Sequence, residues 1–230
     1  MAKFYSVGVG AGDGSYITLG ALRALEKSDI IAVPSKKSGN KSTALNIISK
    51  EFDTSKKELL ELEFSMSSDA KERELSREKS AERIIAALKA GKNVAMITLG
   101  DVSIYSTCSY VHGAVKNAGF EIEIIPGITS FCAAADKARI SLCEGGESVA
   151  IIPSAKGADL EKYTADFDTV IIMKAGADTD GIYEALKRRG MESNAIVSSR
   201  VGMENELIEP LREGKSYGYF TTVIIKKKGF

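Results

Sequence analysis

The chain has 230 residues, 44% of them hydrophobic, enough for the core of one large α/β domain or of two smaller ones. Lys plus Arg and Asp plus Glu balance at 31 each, so no overall field draws nucleic acid, and only Lys226, Lys227 and Lys228 concentrate positive charge. The three cysteines form no CxxC pair, there is one histidine, and no apolar stretch nears the roughly 18 residues of a membrane span, which argues against a disulfide framework, a zinc site and a transmembrane segment and for a cytoplasmic protein.

The opening run "FYSVGVG" reads as a buried strand, and "TLGALRALEKSD" follows it with Leu19, Leu22, Ala24 and Leu25 at helical spacing behind a Thr18 cap. A second strand, "IIAVP", is closed by Pro34, and such a βαβ opening implies a parallel strand pair. Loop signals at Ser38 to Asn40 precede a helix around Ala44 to Lys50, and "ELLELEFSMSSD" is an extended segment ending in a polar turn. From Asp69 to Ala90 the spacing predicts a long amphipathic helix. Its apolar residues Ala81, Ile84, Ile85 and Leu88 share one face, "KERELSREK" is solvated, and Gly91 is the stop.

"NVAMITLG" is the next buried strand, delivering Gly100 and Asp101 and then a helix that starts near Tyr105 and ends at Gly119. After the Pro-Gly turn of "FEIEIIPGITS" the texture changes. The runs "SVAIIPS", "DTVIIMKAG", "NAIVSSRVG" and "YFTTVIIKKK" read as strands, with helices "DLEKYTAD" and "TDGIYEALKRRG" among them. The expectation is an α/β protein of two α/β domains, residues 1–123 with a parallel sheet and residues 124–230 mixed, with a ligand crevice between them.

The stretch "VGVGAGDG", Val7 to Gly14, resembles a phosphate loop but has the wrong spacing. In a G-x-G-x-x-G fingerprint the third glycine packs the helix on its strand and aims its N-terminus at a pyrophosphate. Counting from Gly8, that position holds Asp13, whose carboxylate repels phosphate, and no Walker lysine follows. Taken alone, the glycines fit a plain strand-to-helix turn equally well. Two companions change the weight: "TLGDVSIYS" repeats a strand followed by Gly-Asp, and "IIPGITSFCAAA" makes a third glycine turn. At the C-terminal edge of a parallel sheet these turns line a site with exposed backbone.

The ordered trio "GVGAGD", "TLGDVSIYS" and "PGITS" resembles the tetrapyrrole (corrin/sirohaem) methyltransferases, class III methyltransferases whose patterns are G-x-G-P-G-D, G-D-P-x-x-Y and P-G-x-[ST]-[SA]. "YSTCSYV" and "LEFSMSSD" resemble strings of the branch that methylates C20 of precorrin-2 or its cobalt form. Ala11 and Val102 stand where the family has proline, which alters loop stiffness and removes no functional group. The resemblance implies S-adenosyl methionine as methyl donor, a tetrapyrrole as substrate, no metal held by protein ligands, and a homodimer. Carried over by position, Ala11, Leu99, Gly100, Asp101, Ile104, Thr129, Ser130, Met173 and Gly202 are expected to contact the donor.

For catalysis the candidates are Asp13, Tyr105, Tyr110 and His112, with Tyr105, Ser109 and His112 on one helix face if the helix starts near Tyr105. Arg200, Lys36 and Lys37 are candidates for the substrate carboxylates, against the plainer reading of solvated charge. Cys108 and Cys132 sit among small residues and are assigned no chemistry. Two alternatives stay open: another methylase of the superfamily with a different substrate, and a non-catalytic relative that only binds ligand.

Overall fold

The computed structural model describes residues 1–35, 42–154 and 156–230, so the candidate lysines Lys36 and Lys37 lie outside the described residues. The chain divides into two compact units, Met1–Thr129 and Ser130–Phe230.

In the first unit β1 (Lys3–Gly8), α1 (Leu19–Lys27), β2 (Ile30–Ser35), α2 (Thr43–Ile48) and β3 (Glu58–Glu63) are followed by α3 (Ala70–Lys89), β4 (Val94–Thr98), α4 (Ser109–Asn117) and β5 (Glu121–Ile125). The strands pair in the order β3-β2-β4-β1-β5, every pair parallel. β1 and β4 sit inside the sheet and their residues are nearly all buried, as expected when helices cover both faces. Alternate residues serve opposite cores. Phe4 and Met96 pack with Ile84, Leu88, Val111 and Val115 of α3 and α4, while Tyr5, Val7 and Ile97 pack with Leu25, Ile47 and Ile48 of α1 and α2. Thr18 caps α1 by accepting from Ala21 N at 3.1 Å, and Asp69 caps α3 by accepting from Lys71 N at 2.8 Å. Pairing of β5 with β1 keeps the segment up to the Pro-Gly turn in this unit.

One expected boundary is wrong in a way that matters. The helix after β4 begins at Ser109, not near Tyr105. Tyr105 has φ +48°, a left-handed conformation that no α-helix accommodates. Just beyond it Ser106 donates from Oγ to Thr98 Oγ1 at 3.1 Å and accepts from Cys108 N at 3.1 Å, so a hydroxyl turn holds the chain against β4 before the helix starts. Tyr105, Ser109 and His112 therefore do not share a helical face.

The second unit contains α5 (Ser130–Ala138), β6 (Val149–Ile152), α6 (Leu160–Asp166), β7 (Thr169–Met173), α7 (Thr179–Lys187), β8 (Ala195–Ser199), β9 (Leu207–Pro210) and β10 (Thr221–Lys226). Its order is β6-β7-β10-β8-β9, with β6 parallel to β7 and the remaining pairs antiparallel. Val170, Ile172, Val197, Val223 and Ile225 pack against Leu160, Ile182 and Leu186. The sequence pattern misses α5, whose alanines carry no strong periodicity, and the four-residue β9. The basic run at the end of β10 is spent internally: Lys226 Nζ donates to Ser141 O at 2.8 Å, Lys227 Nζ to Ala165 O at 2.6 Å, and Lys228 pairs with Glu147 at 3.3 Å. Among the described residues no helix is long and apolar enough to cross a membrane.

Candidate functional site

The three glycine turns meet at the C-terminal edge of the first unit's sheet. Val9 N donates to Thr98 O at 3.0 Å, continuing the β1–β4 ladder, and Gly10 and Gly100 then exchange two bonds, 3.2 and 2.8 Å, as an isolated antiparallel bridge. Reversal from parallel to antiparallel pairing within two residues needs left-handed backbone, and Gly10 and Gly100 adopt φ +82° and +72°. The third turn packs on the first two without room for a side chain. A Cβ on Gly127 would lie 2.7 Å from the Gly8 carbonyl carbon and closer still to the Gly100 carbonyl oxygen, and a Cβ on Gly8 would lie 2.7 Å from Gly127 N.

Asp101 ties the turns together. One carboxylate oxygen accepts from Gly127 N at 2.8 Å, and the other accepts from Ser103 N at 2.8 Å and from the Ser103 hydroxyl. Burial raises this carboxyl's pKa, and the bonds from Ser103, Gly127 and Val102 outweigh it, so the group stays below the ordinary carboxylate value and is ionised at neutral pH. Sequence reading treats Asp101 as a ligand group and overlooks Ser103 and the Gly127 amide. The spacing D-x-S is the available signal, because Asp13–Ser15 and Asp53–Ser55 make the same turn. In each the aspartate Oδ1 accepts both the amide and the hydroxyl of the serine two residues on.

The remaining first-unit candidates divide between the turns and α4. Ala11 is buried beside the Gly10–Gly100 bridge, Leu99 and Ile104 are half-buried, and Tyr105 is exposed on the β4 turn. Asp13 caps the short 3-10 turn Gly14–Tyr16. Thr129, two residues past Gly127, has its Oγ1 buried with no hydrogen-bond partner, an arrangement that costs free energy unless something completes it. Tyr110 and His112 lie instead along α4. The Tyr110 ring faces the Arg77 guanidinium of α3 at 3.8 Å, and His112 Nε2 lies 3.0 Å from Ser6 Oγ with its ring edge-on to Phe4. Burial lowers the His112 pKa, leaving the ring neutral at neutral pH. Burial also pushes the Cys108 thiol up to about 11. Val102, at the family's proline position, is 3% exposed and belongs to the core under α3 and α4.

In the second unit Ser130 opens α5, Met173 ends β7, and Gly202 lies in the turn after β8 with φ +71° and its N–H donated to Glu206 at 2.6 Å. Arg200, in the same turn, is exposed, and its Nε donates to Glu204 O at 2.8 Å.

Chemically, the turn cluster of the first unit offers main-chain donors and acceptors, the carboxylates of Asp13 and Asp101, and an unsatisfied hydroxyl, and its turn sequences contain no Lys or Arg. Such a set suits a ligand with many hydrogen-bonding groups and positive charge, and it disfavours phosphate.

The profile of the tetrapyrrole (corrin/porphyrin) methylases matches residues 3–215. The chain is 45% identical over 172 residues to a probable cobalt-precorrin-2 C(20)-methyltransferase of Methanocaldococcus jannaschii, covering 75% of this chain and 72% of that one. It is 29% identical over 231 residues to the cobalt-precorrin-2 C(20)-methyltransferase of Salmonella typhimurium, covering 98% and 97%. In fold it is similar to the uroporphyrin-III C-methyltransferase of Thermus thermophilus solved with S-adenosyl homocysteine, with a TM-score of 0.71, 16% identity and 99% of both chains covered.

Proposed function

Because this chain belongs to the tetrapyrrole (corrin/porphyrin) methylase family, we propose that it transfers a methyl group from S-adenosyl methionine to C20 of precorrin-2 or its cobalt form, a step of cobalamin synthesis. The observation that carries this reading is the locked trio of glycine turns, a backbone cradle with ionised Asp101 and the unpaired Thr129 hydroxyl, in a chain that aligns with a C20-methyltransferase over 98% of its length.

S-adenosyl methionine supplies a methyl on a sulfonium, an activated donor, so the protein's share of the work is alignment, exclusion of water and management of one proton. Gly100 and Ala11 present main chain to the donor, and Thr129 Oγ1 holds one of its polar groups. Asp101, already bonded to Gly127 and Ser103, keeps the turns in register and places negative charge beside the cationic donor. The stiffness of this cradle is its main catalytic asset, since a reacting methyl misplaced by about 1 Å loses on the order of a hundredfold in rate. In the second unit the proposed donor contacts are Ser130, Met173 and Gly202.

Forming the new C–C bond at C20 requires the C20 proton to leave. Of the proposed catalytic residues, Tyr105 and Asp13 lie in the turns themselves. The strained backbone of Tyr105 presents a phenol there, and strain of this kind persists where surrounding structure enforces it. Tyr110 and His112 reach the reaction only from α4, and His112 Nε2 is already engaged with Ser6. Arg200 is the proposed partner for a substrate carboxylate. The reading extends to a homodimer acting in the cytoplasm, which sedimentation of the purified protein and cell fractionation test.

The direct experiment incubates the protein with donor and with either macrocycle and looks by mass spectrometry for one added methyl at C20. If S-adenosyl homocysteine binds and no tetrapyrrole is methylated, the substrate assignment is wrong.

A further inference from the structure

We infer that Glu206 is a positioning residue for donor binding, an inference that rests on the methyl-transfer reading above. The turn after β8 is held in a conformation that its residues resist. Arg200 at φ +58°, Gly202 at +71° and Asn205 at +59° are all left-handed, and two of the three carry side chains. Among the described residues five hydrogen bonds hold the turn against that tendency: Arg200 N to Phe220 O at 2.7 Å, Met203 N to Arg200 O at 2.9 Å, Glu206 N to Met203 O at 3.2 Å, Arg200 Nε to Glu204 O at 2.8 Å, and Gly202 N to Glu206 Oε2 at 2.6 Å. Only the last has a carboxylate acceptor, and bonds to a carboxylate are the stronger kind.

The other oxygen of Glu206 lies 3.7 Å from Lys137 Nζ on α5, the helix that Ser130 opens. One carboxylate thus touches two of the three second-unit segments that carry proposed donor contacts, the turn of Gly202 and the helix of Ser130. Its bond also decides what Gly202 offers: with the N–H donated to Glu206, the carbonyl and Cα are what the turn presents. The Lys137 pair is half exposed and of ordinary surface strength, so the bond to the Gly202 amide carries the effect.

The test compares the full-length protein with Glu206→Ala, Glu206→Gln and Lys137→Ala. Measured are KM for donor and macrocycle, kcat, the Kd of S-adenosyl homocysteine by calorimetry, and Tm. Glu206→Ala is expected to raise donor KM and S-adenosyl homocysteine Kd roughly tenfold, the size of a lost charge-assisted bond, with macrocycle KM changed by less than about twofold. Glu206→Gln keeps an acceptor for the amide, and together with Lys137→Ala it stays within about threefold of the parent protein. A lower Tm for Glu206→Ala with unchanged donor KM and Kd refutes the proposal, because that is what a purely structural bond gives. Glu206→Gln as impaired as Glu206→Ala also refutes it. Absence of tetrapyrrole methylation by the parent protein defeats the functional reading instead, and the calorimetric comparison still decides the role of Glu206.

Discussion

Replacing Gly127 with alanine should unlock the site while leaving every functional group of the chain in place. The added Cβ would sit 2.7 Å from the Gly8 carbonyl carbon and 2.9 Å from its oxygen, and closer still to the Gly100 oxygen, whereas ordinary contact begins at 3.4 Å. All three obstructing atoms are main chain, so no rotamer change relieves them, and the Pro-Gly turn must withdraw by roughly 1 Å. Withdrawal breaks the Gly127 N–H bond to Asp101 Oδ2, worth about 1.5–3 kcal/mol for a charged acceptor, and overpacking adds about 1–3 kcal/mol. Together these reach about 2.5–6 kcal/mol, or roughly 10–20 °C in the melting temperature of a unit this size. Scanning calorimetry reads the first number, and titration with S-adenosyl homocysteine should show donor binding weakened by more than about tenfold, since the cradle no longer holds its register. Gly113→Ala is the internal control. It lies within α4 with nothing inside 4 Å of the new methyl, and it should stabilise by about 0.5–1 kcal/mol through helix propensity. A Gly127→Ala protein that melts and binds like the parent would refute the account of the three turns.

Asp101 should make the first unit acid-sensitive. Its folded pKa lies below the ordinary 3.8, so its stabilising contribution is complete above that value and is lost as pH falls through the lower folded value. Denaturant unfolding at neutral and strongly acid pH should show Asp101→Asn losing less stability on acidification than the parent; equal losses refute the assignment. At pH 7.5, alkylation with iodoacetamide followed by mass spectrometry should modify Cys132 and Cys143, which are exposed, and spare Cys108, whose buried thiol titrates near 11. Tyr217 donates to Glu209 at 2.6 Å, and the same carboxylate binds Lys215 at 2.5 Å, so Tyr217→Phe should destabilise the second unit by about 1–2 kcal/mol in urea titrations without changing donor affinity.

Local physics made much of this chain legible before any coordinates. Thr18 and Asp69 cap helices because a side-chain oxygen reaches an amide two or three residues on whatever the rest of the chain does. The largely apolar runs of β1 and β4 announce strands buried on both faces, and the ordered glycine turns with the strings "YSTCSYV" and "LEFSMSSD" already point to C20 methylation. Long-range contact decided the remainder. The left-handed Tyr105 and the late start of α4 depend on Ser106 reaching Thr98, a bond invisible to helical periodicity. That Asp101 also ties the turns together shows only once Gly127, 26 residues away, is seen to donate to it. Gly8 and Gly127 read as parts of two separate glycine turns in sequence, and what requires glycine there is that two backbones meet with no space for one more carbon. Periodicity and capping are properties of a few consecutive residues, whereas the distance between two turns exists only once the sheet has closed.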